Sequence, residues 1–301
     1  MKYNKNKLLI EKIDIQNIAK KYGTPAYCYS FDKLVDNINN FKKNFKSFSP
    51  IICFAVKSNT NINLLKEIKK FGLGADVVSK GELMLALKAG VNPKKIVFSG
   101  VGKTSDELSF AIDKNILLIN TESISEIKEL DRIAKLKKKK VNIGIRLNPN
   151  TDAKTLSQIS TGKKENKFGV NSENFLNLVK IFKNAKNVNV KCLSVHIGSQ
   201  ILDYRPYEKM LKIVSKIIDK TNYHFEFIDL GGGMGISYKY GDQKLNYHKY
   251  NLLIKNFLKK HNSKIIFEPG RSIIGDTGFL ITKVIYIKKN EKKHFIILDA
   301  A

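Results

Sequence analysis

Residues 265–271 have the sequence Ile-Ile-Phe-Glu-Pro-Gly-Arg, a short apolar run that ends in a carboxylate, a turn and a guanidinium. Such a run is typical of a buried β-strand bounded by a turn. Similar apolar runs occur earlier in the chain, at residues 51–56, 74–79, 96–99, 116–119, 141–147, 192–197 and 225–230. Segments with the apolar spacing of amphipathic helices lie between them, at residues 62–71, 81–89, 106–113, 123–136, 173–182, 207–219 and 247–260.

Short apolar strands that alternate with amphipathic helices predict a parallel sheet of the α/β class. Eight such units in roughly 220 residues predict a closed, TIM-like (β/α)8 barrel. An open, doubly wound sheet is the alternative. A polar stretch at residues 148–171 predicts a long loop after the fifth strand.

The pattern changes after residue 271. Residues 279–287 and 294–298 are β-like and are separated by a polar segment without helical spacing, which predicts an antiparallel hairpin. We therefore expect an N-terminal segment at residues 1–30, a barrel at 31–275 and the first strands of a β-domain at 276–301. The helix and strand of the N-terminal segment would pack toward the β-domain. Two strands do not complete a domain, so we expect this one to be truncated or covered by a partner.

The formal net charge of +27 raises the possibility of a nucleic-acid-binding protein. The lysines, however, are spread over every predicted helix, and no interleaved aromatic residues indicate a base-stacking surface. The densest run, residues 135–140, closes a helix, where lysines offset the helix dipole. We therefore expect no nucleic-acid partner.

Targeting signals and cysteine use indicate the compartment. The chain has no apolar run long enough for a transmembrane helix, and its first residues lack the apolar core of a signal peptide. The three cysteines, Cys28, Cys53 and Cys192, lie in apolar strand-like segments without motif spacing. We expect reduced thiols, a cytoplasmic location and no membrane association.

Chemically versatile residues follow several of the predicted strands. They are Lys57 after the first strand, His196 at the end of the sixth with Ser199 just beyond it, Gly231 to Gly233 after the seventh, and Glu268 and Arg271 after the eighth. Because barrel enzymes carry their catalytic groups at the carboxyl ends of the strands, these residues should converge on one face.

Each of these residues also has a purely structural interpretation. Lys57 could be an ordinary strand-end lysine, or a poorly solvated amine whose lowered pKa makes it a nucleophile. His196 could be a core histidine or could lie flat on a cofactor ring. The triple glycine could be a tight turn or an oxyanion-binding loop. Glu268 could form an ion pair with Arg271, or hold a pyridine nitrogen protonated.

The combination favours the functional interpretations. An imine-forming lysine, an oxyanion loop, a carboxylate for a ring nitrogen and a stacking imidazole together describe a pyridoxal 5′-phosphate (PLP) site. The histidines are scattered, and neither His-x-x-x-His nor Cys-x-x-Cys occurs, so no metal site is expected.

Longer motifs carry a family resemblance. They are Tyr-Gly-Thr-Pro at 22–25, Phe-Ala-Val-Lys-Ser-Asn at 54–59, Gly-Ala-Asp-Val-Val-Ser-Lys-Gly-Glu-Leu at 74–83, Gly-Val-Gly-Lys-Thr at 100–104, Lys-Phe-Gly-Val at 167–170, His-Ile-Gly-Ser-Gln at 196–200, Asp-Leu-Gly-Gly-Gly at 229–233 and Glu-Pro-Gly-Arg-Ser at 268–272. The sequence resembles the diaminopimelate decarboxylases, fold-type III PLP enzymes related to alanine racemase and the eukaryotic-type ornithine decarboxylases. The motifs at 100–104 and 196–200 favour this group over the ornithine and arginine enzymes.

The resemblance implies a role for each site residue. Lys57 would bind PLP covalently, His196 would stack on its ring and Glu268 would pair with the pyridine nitrogen. Asp76 would support the site near Lys57, and the Arg271 side chain would bind a substrate carboxylate. The phosphate would be held by the remaining set, which is Ser199, Gly231, Gly232, Gly233, Pro269, Gly270 and the Arg271 backbone. The implied reaction is decarboxylation of meso-2,6-diaminoheptanedioate to L-lysine and CO2.

Two departures from the family pattern affect these expectations. Lys80 replaces a glycine that is usual in the family's Val-Ser-Gly-Gly-Glu-Leu motif. The family also continues into a β-domain that supplies a cysteine, a glutamate, tyrosines and another arginine, partly across a homodimer interface, and this sequence has none of them. A PLP-binding relative without catalytic activity, or an ornithine or arginine decarboxylase, is therefore the alternative.

Overall fold

A computed structural model describes residues 2–4, 6–153, 161–162, 166–239 and 241–300. The chain forms two compact units, one of Met1–Asn39 with Ile274–Ala301 and one of Asn40–Ile273. Most of the predicted polar loop at 148–171 is described, but residues 154–160 and 163–165 lie outside the described part.

The larger unit is a closed barrel of eight parallel strands, which confirms the predicted fold and excludes an open sheet. The last strand closes the barrel, because its residue Ile266 pairs with Ile51 of the first strand. The strands are β1 (Ile51–Ala55), β2 (Gly74–Val77), β3 (Ile96–Phe98), β4 (Leu118–Thr121), β5 (Val141–Arg146), β6 (Val188–Ser194), β7 (Phe227–Asp229) and β8 (Lys264–Phe267).

Helices alternate with these strands as the periodicity predicts. They are Ile62–Lys70, Lys80–Lys88, Ser105–Asp113, Ile124–Leu136, Ser172–Phe182, Arg205–Thr221 and Tyr247–Lys260, preceded by Phe31–Phe45 ahead of β1. Three of them begin at a hydroxyl N-cap, since Ser79, Thr104 and Ser123 each accept a hydrogen bond from a backbone N–H three residues on. Such caps satisfy N–H groups that the helix leaves free, and they fix where each loop at the barrel mouth ends.

The strand interiors supply a continuous apolar core. One buried cluster comprises Cys53, Val97, Leu118, Cys192, Phe227 and Ile266, which come from six different strands. Cys53 and Cys192 are free thiols there, and burial raises the pKa of both. This agrees with the expectation of reduced thiols inside apolar strands.

Strand β6 starts four residues earlier than its apolar run suggests. Val188 and Val190 are buried whereas Asn189 and Lys191 are partly exposed, and the pairing with β5 shifts register between Val190 and Cys192. The early part of β6 therefore alternates like a half-exposed strand, a pattern that a search for continuous apolar runs misses.

The smaller unit contains short antiparallel pairings. Lys2–Asn4, Lys7–Ile10 and Ile13–Asp14 form a three-stranded sheet, followed by the helix Ile15–Tyr22. The sequence predicted one strand over 279–287, but the structure divides it into Gly278–Ile281 and Val284–Lys289.

The two halves of that divided strand have different partners. Gly278–Ile281 pairs with Ala26–Tyr29, and Val284–Lys289 forms the predicted hairpin with His294–Leu298. Within the described residues, no helix combines the length and apolar character needed to cross a membrane.

Candidate active site

Lys57 lies in a single 3-10 turn directly after β1, at the mouth of the barrel. Its Nζ atom is 3.0 Å from Oδ2 of Asp76, which is fully buried in β2, while 53% of the Lys57 side chain is exposed. The Asp76 carboxylate raises the pKa of Lys57, and this effect outweighs burial, which acts in the opposite direction. The prediction of a lowered pKa was therefore wrong, because an anion from the neighbouring strand compensates the ammonium.

Glu268 follows β8 and is buried in a network with four other polar side chains. The Ser99 hydroxyl donates to Glu268 Oε1 over 3.3 Å, and Asn120 Nδ2 donates to Ser99 Oγ over 3.2 Å. The carboxylate of Asp229, at the end of β7, accepts from Asn120 Nδ2 at 2.8 Å and from the Ser194 hydroxyl at 3.0 Å. These residues form a buried polar network under the mouth of the barrel.

Burial, together with the neighbouring carboxylate of Asp229, raises the pKa of Glu268 well above its ordinary value. Burial also raises the pKa of Asp229. Two carboxyl groups in one desolvated network cannot both ionise easily, which favours the protonated form of Glu268. No ion pair joins Glu268 to Arg271 within the described part of the chain.

His196 follows β6 and is partly buried. The N–H of Gly232 donates to His196 Nδ1 over 3.3 Å. Burial first, and then the cations Arg146 and Lys57, lower the pKa of His196 well below 6.5. The imidazole is therefore neutral at physiological pH, with Nδ1 as a hydrogen-bond acceptor.

The triple glycine after β7 is required by close backbone approaches. A Cβ atom on Gly232 would lie 2.2 Å from the carbonyl oxygen of Glu268. One on Gly233, whose φ is +92°, would lie 2.2 Å from the carbonyl oxygen of Gly198. The N–H of Gly231 already donates to Asp229 Oδ1 at 2.9 Å. Of the three amides, only that of Gly233 has no acceptor among the residues that the structure describes.

The segment after β8 contacts the end of β1 and the turn that follows it. The carbonyl of Pro269 accepts from the N–H of Ala55 at 3.1 Å, and a Cβ on Gly270 would lie 3.1 Å from Cβ of Ser58. The Arg271 side chain extends to Tyr238, whose hydroxyl accepts from Arg271 Nη1 at 2.7 Å.

These groups surround one cavity of about 360 Å³. The cavity is lined by Lys57, Val78, Ser99, Gly100, Arg146, Thr161, Phe168, Ser194, His196, Ser199 and Glu268. Lys57, His196, Ser199 and Glu268 are thus brought together as the sequence predicted, and Asp76 lies directly behind Lys57. Gly231, Gly232, Gly233, Pro269, Gly270 and Arg271 belong to the adjoining turns and do not line this cavity.

Sequence reasoning missed Arg146, at the end of β5. Its guanidinium pairs with Glu122 over 3.1 Å and lies 4.8 Å from the centroid of the Phe168 ring. A signal was present, since a charged residue interrupts the apolar run at 141–147. A buried charge is tolerated only with partners, which marks such an interruption as a structured site.

Lys80, the departure from the family motif, lies at the start of the helix Lys80–Lys88. Its ammonium is 2.6 Å from Asp106 and 5.4 Å from the centroid of the Phe110 ring. The substitution is therefore accommodated at the surface, between neighbouring helices.

The residues present fit PLP. The cradle at Gly231–Gly233 admits no side chain, a lysine amine and a buried carboxyl share one cavity, and a neutral imidazole borders it. This donor set matches the aldehyde, the pyridine nitrogen and the phosphate of that cofactor.

Comparison with known proteins agrees with this fit. The family described as "Pyridoxal-dependent decarboxylase, pyridoxal binding domain" matches residues 31–275. The diaminopimelate decarboxylase of Aquifex aeolicus is 41% identical over 303 residues, which cover 100% of this chain and 72% of that protein. The chain belongs to the diaminopimelate decarboxylase family.

Other members of this family agree in sequence and in structure. The diaminopimelate decarboxylase of Helicobacter pylori strain J99 is 43% identical, with coverage of 95% of this chain and 71% of that protein. A crystal structure of the H. pylori enzyme complexed with L-lysine superposes with a TM-score of 0.91 at 41% identity. It is matched over 95% of this chain and 73% of that one.

Proposed function

We propose that this protein catalyses the PLP-dependent decarboxylation of meso-2,6-diaminoheptanedioate to L-lysine and CO2, the last step of lysine biosynthesis. The observation that carries the proposal is the convergence of Lys57, His196 and Glu268 on one cavity, in a chain of the diaminopimelate decarboxylase family. The binding of L-lysine by the H. pylori relative supports the choice of product.

The cofactor, when bound, supplies an electron sink for the pair released as the bond to the substrate carboxylate breaks. The protein supplies the positioning. Lys57 offers the amine for covalent attachment, and Asp76 holds that amine at a fixed place. Glu268 would pair with the pyridine nitrogen, and its buried surroundings raise its pKa and so favour the protonated carboxyl.

The phosphate is assigned to the turns next to the cavity. Gly233 offers a backbone N–H that has no acceptor among the described residues, and Ser199 offers a hydroxyl at the cavity wall. The N–H groups of Gly231 and Gly232 are already donated within the protein. These two glycines would therefore contribute only by letting the phosphate approach the backbone closely. His196 would present the face of its neutral ring to the cofactor.

Arg271 is assigned to a substrate carboxylate. Its guanidinium does not line the cavity, and it donates a hydrogen bond to the hydroxyl of Tyr238. A planar guanidinium suits bidentate binding of a carboxylate. We also propose a cytoplasmic location and, by analogy with the family, a homodimer.

The test is spectroscopic and chemical. The protein should develop the absorbance band of a lysine-bound cofactor when it is incubated with PLP, and Lys57→Ala should abolish that band. Lys260→Ala is a matched control, because Lys260 forms an ion pair with Asp219 on the outer helices. Release of CO2 from meso-diaminoheptanedioate, and not from ornithine or arginine, would support the substrate. An unchanged band in Lys57→Ala would disprove the lysine assignment.

A further inference from the structure

The motif Gly-Val-Gly-Lys-Thr at 100–104 has a buried lysine that the proposed function does not use. Only 1% of the Lys103 side chain is exposed, and its ammonium lies 2.7 Å from Oε1 of Glu126. The same ammonium donates to the carbonyl of Gly100, which lines the cavity. Lysines are almost never so buried without a partner, so this ion pair is a built feature of the fold.

Glu126 connects this pair to the backbone of Glu122. Its second oxygen, Oε2, accepts from the N–H of Glu122 at 2.8 Å. The carboxylate of Glu122 is divided between two partners, Nη1 of Arg146 at 3.1 Å and the N–H of Gly169 at 2.8 Å. Four charged side chains therefore lead from Lys103 to the cavity wall.

The two residues at the end of this series are in contact with each other. Arg146 and Phe168 both line the cavity, and the guanidinium lies 4.8 Å from the ring centroid. Because Gly169 follows Phe168 directly, the Glu122 carboxylate fixes both the guanidinium and the backbone that carries the ring.

Helix capping alone does not explain the buried cation. Glu82 and Glu107 act on their own helices as Glu126 does, each accepting a backbone N–H from just before the helix start. Neither of them makes an ion pair within the described part of the chain. Of these three glutamates, Glu126 is thus the one that pairs with a buried lysine, and it is the one that binds the backbone of Glu122.

We propose that Lys103 and Glu126 are a positioning pair that holds Glu122, and through it Arg146 and Phe168, in the geometry that binds PLP and substrate. The link to PLP rests on the proposed function, whereas the positioning of Glu122 does not. Lys103 itself does not line the cavity.

The physical basis is the cost of an isolated buried charge. Burial already raises the pKa of Glu126, and the Lys103 ammonium opposes that rise. Without the ammonium, the carboxylate would take up a proton or turn toward solvent. Either change weakens the hydrogen bond that Glu126 accepts from the Glu122 N–H. The Glu122 carboxylate then no longer holds the Arg146 guanidinium in place.

Hydrogen exchange of the cofactor-free chain measures the positioning directly. In Lys103→Met we expect the amides of Glu122 and Gly169 to exchange at least tenfold faster than in the unmodified protein, while strand amides of β1 and β2 keep their rates. Lys80→Met is the matched control, because it removes an ammonium from an exposed ion pair at the same end of the barrel. It should leave both amides unchanged.

Titration with PLP measures the consequence for the cavity. Lys103→Met should weaken PLP binding roughly tenfold or more, the scale seen when outer partners of metal ligands are removed. The double variant Lys103→Met with Glu126→Gln removes both charges of the pair and keeps an oxygen for the Glu122 N–H. It should therefore recover most of the loss, a non-additive result that a generally unstable fold does not give.

Two outcomes would overturn the proposal. One is exchange at Glu122 and Gly169 within twofold of the unmodified protein in Lys103→Met. The other is a double variant no better than the sum of its single variants. If the unmodified chain binds no PLP at all, the proposed function fails, and the exchange comparison still decides the positioning role.

Discussion

The amine of Lys57 lies 3.0 Å from the carboxylate of Asp76, which is fully buried in the neighbouring strand. The pair joins the ends of β1 and β2, and it keeps Lys57 in the ammonium form before the cofactor arrives. An ammonium cannot attack an aldehyde, so covalent attachment requires that this proton leaves first.

Replacing Asp76 should therefore shift the pH at which PLP attaches. Asp76 is the largest cause of the raised pKa of Lys57, so Asp76→Asn should lower that pKa. The attachment rate, followed by absorbance from neutral to alkaline pH, should rise at a correspondingly lower pH. Asp106→Asn removes an exposed partner of Lys80 and should leave the profile in place. A shift toward higher pH would contradict the pairing.

Replacing Glu268 should stabilise the cofactor-free protein at neutral pH. The folded state holds a proton on Glu268 above pH 4.5, where the unfolded chain has released it, so stability falls as pH rises through this window. Glutamine has no proton to release. The midpoint temperature of thermal unfolding should thus be a few degrees higher for Glu268→Gln than for the unmodified protein at pH 7. This difference should disappear near pH 4.

The same variant should bind PLP less tightly, because it removes the group that we propose pairs with the pyridine nitrogen. Glu226→Gln is the control for the thermal measurement, since Glu226 is exposed and forms an ion pair with Lys191. Thermal transitions of Glu268→Gln and unmodified protein that stay parallel between pH 4 and pH 8 would show that Glu268 is ionised in the folded state.

The sequence was sufficient for the barrel and for the residues at the strand ends. Apolar runs such as 51–56 end at a defined residue, and parallel strands bring their carboxyl ends to one face. It was insufficient for Asn120, Ser194 and Arg146, which occupy positions inside or beside apolar runs. Which of them point inward, and toward which strand, depends on barrel closure and register, and these are long-range properties.

The same limitation explains why the sequence predicted the wrong direction for the pKa shift of Lys57. Burial alone lowers the pKa of an amine, and only the placement of Asp76 on the next strand reverses the sign. The separation of 19 residues does not by itself bring the two side chains together, and only the family resemblance placed Asp76 near Lys57.

His196 should remain neutral well below pH 6.5. Burial and the nearby cations lower its pKa, and the Gly232 N–H donates to Nδ1, which places the ring proton on Nε2. Nitrogen NMR of labelled protein should show an unprotonated Nδ1 at pH 6. In Lys57→Met, which removes one of the two cations, the pKa of His196 should rise but stay below 6.5, because burial is the larger cause. Titration of His196 at its ordinary pKa would contradict the buried, neutral form.

Gly232→Ala should destabilise the protein, whereas Gly102→Ala should not. Both glycines lie in loops that follow barrel strands, but a Cβ on Gly232 would lie 2.2 Å from the Glu268 carbonyl oxygen, and one on Gly102 would have no atom within 4 Å. We expect Gly232→Ala to lower the free energy of unfolding by about 3 kcal/mol, because the backbone of two loops must move apart. Gly102→Ala should change it by about 0.5 kcal/mol or less. Urea unfolding of the two variants measures both values, and equal losses would mean that the turn after β7 yields more easily than its contacts indicate.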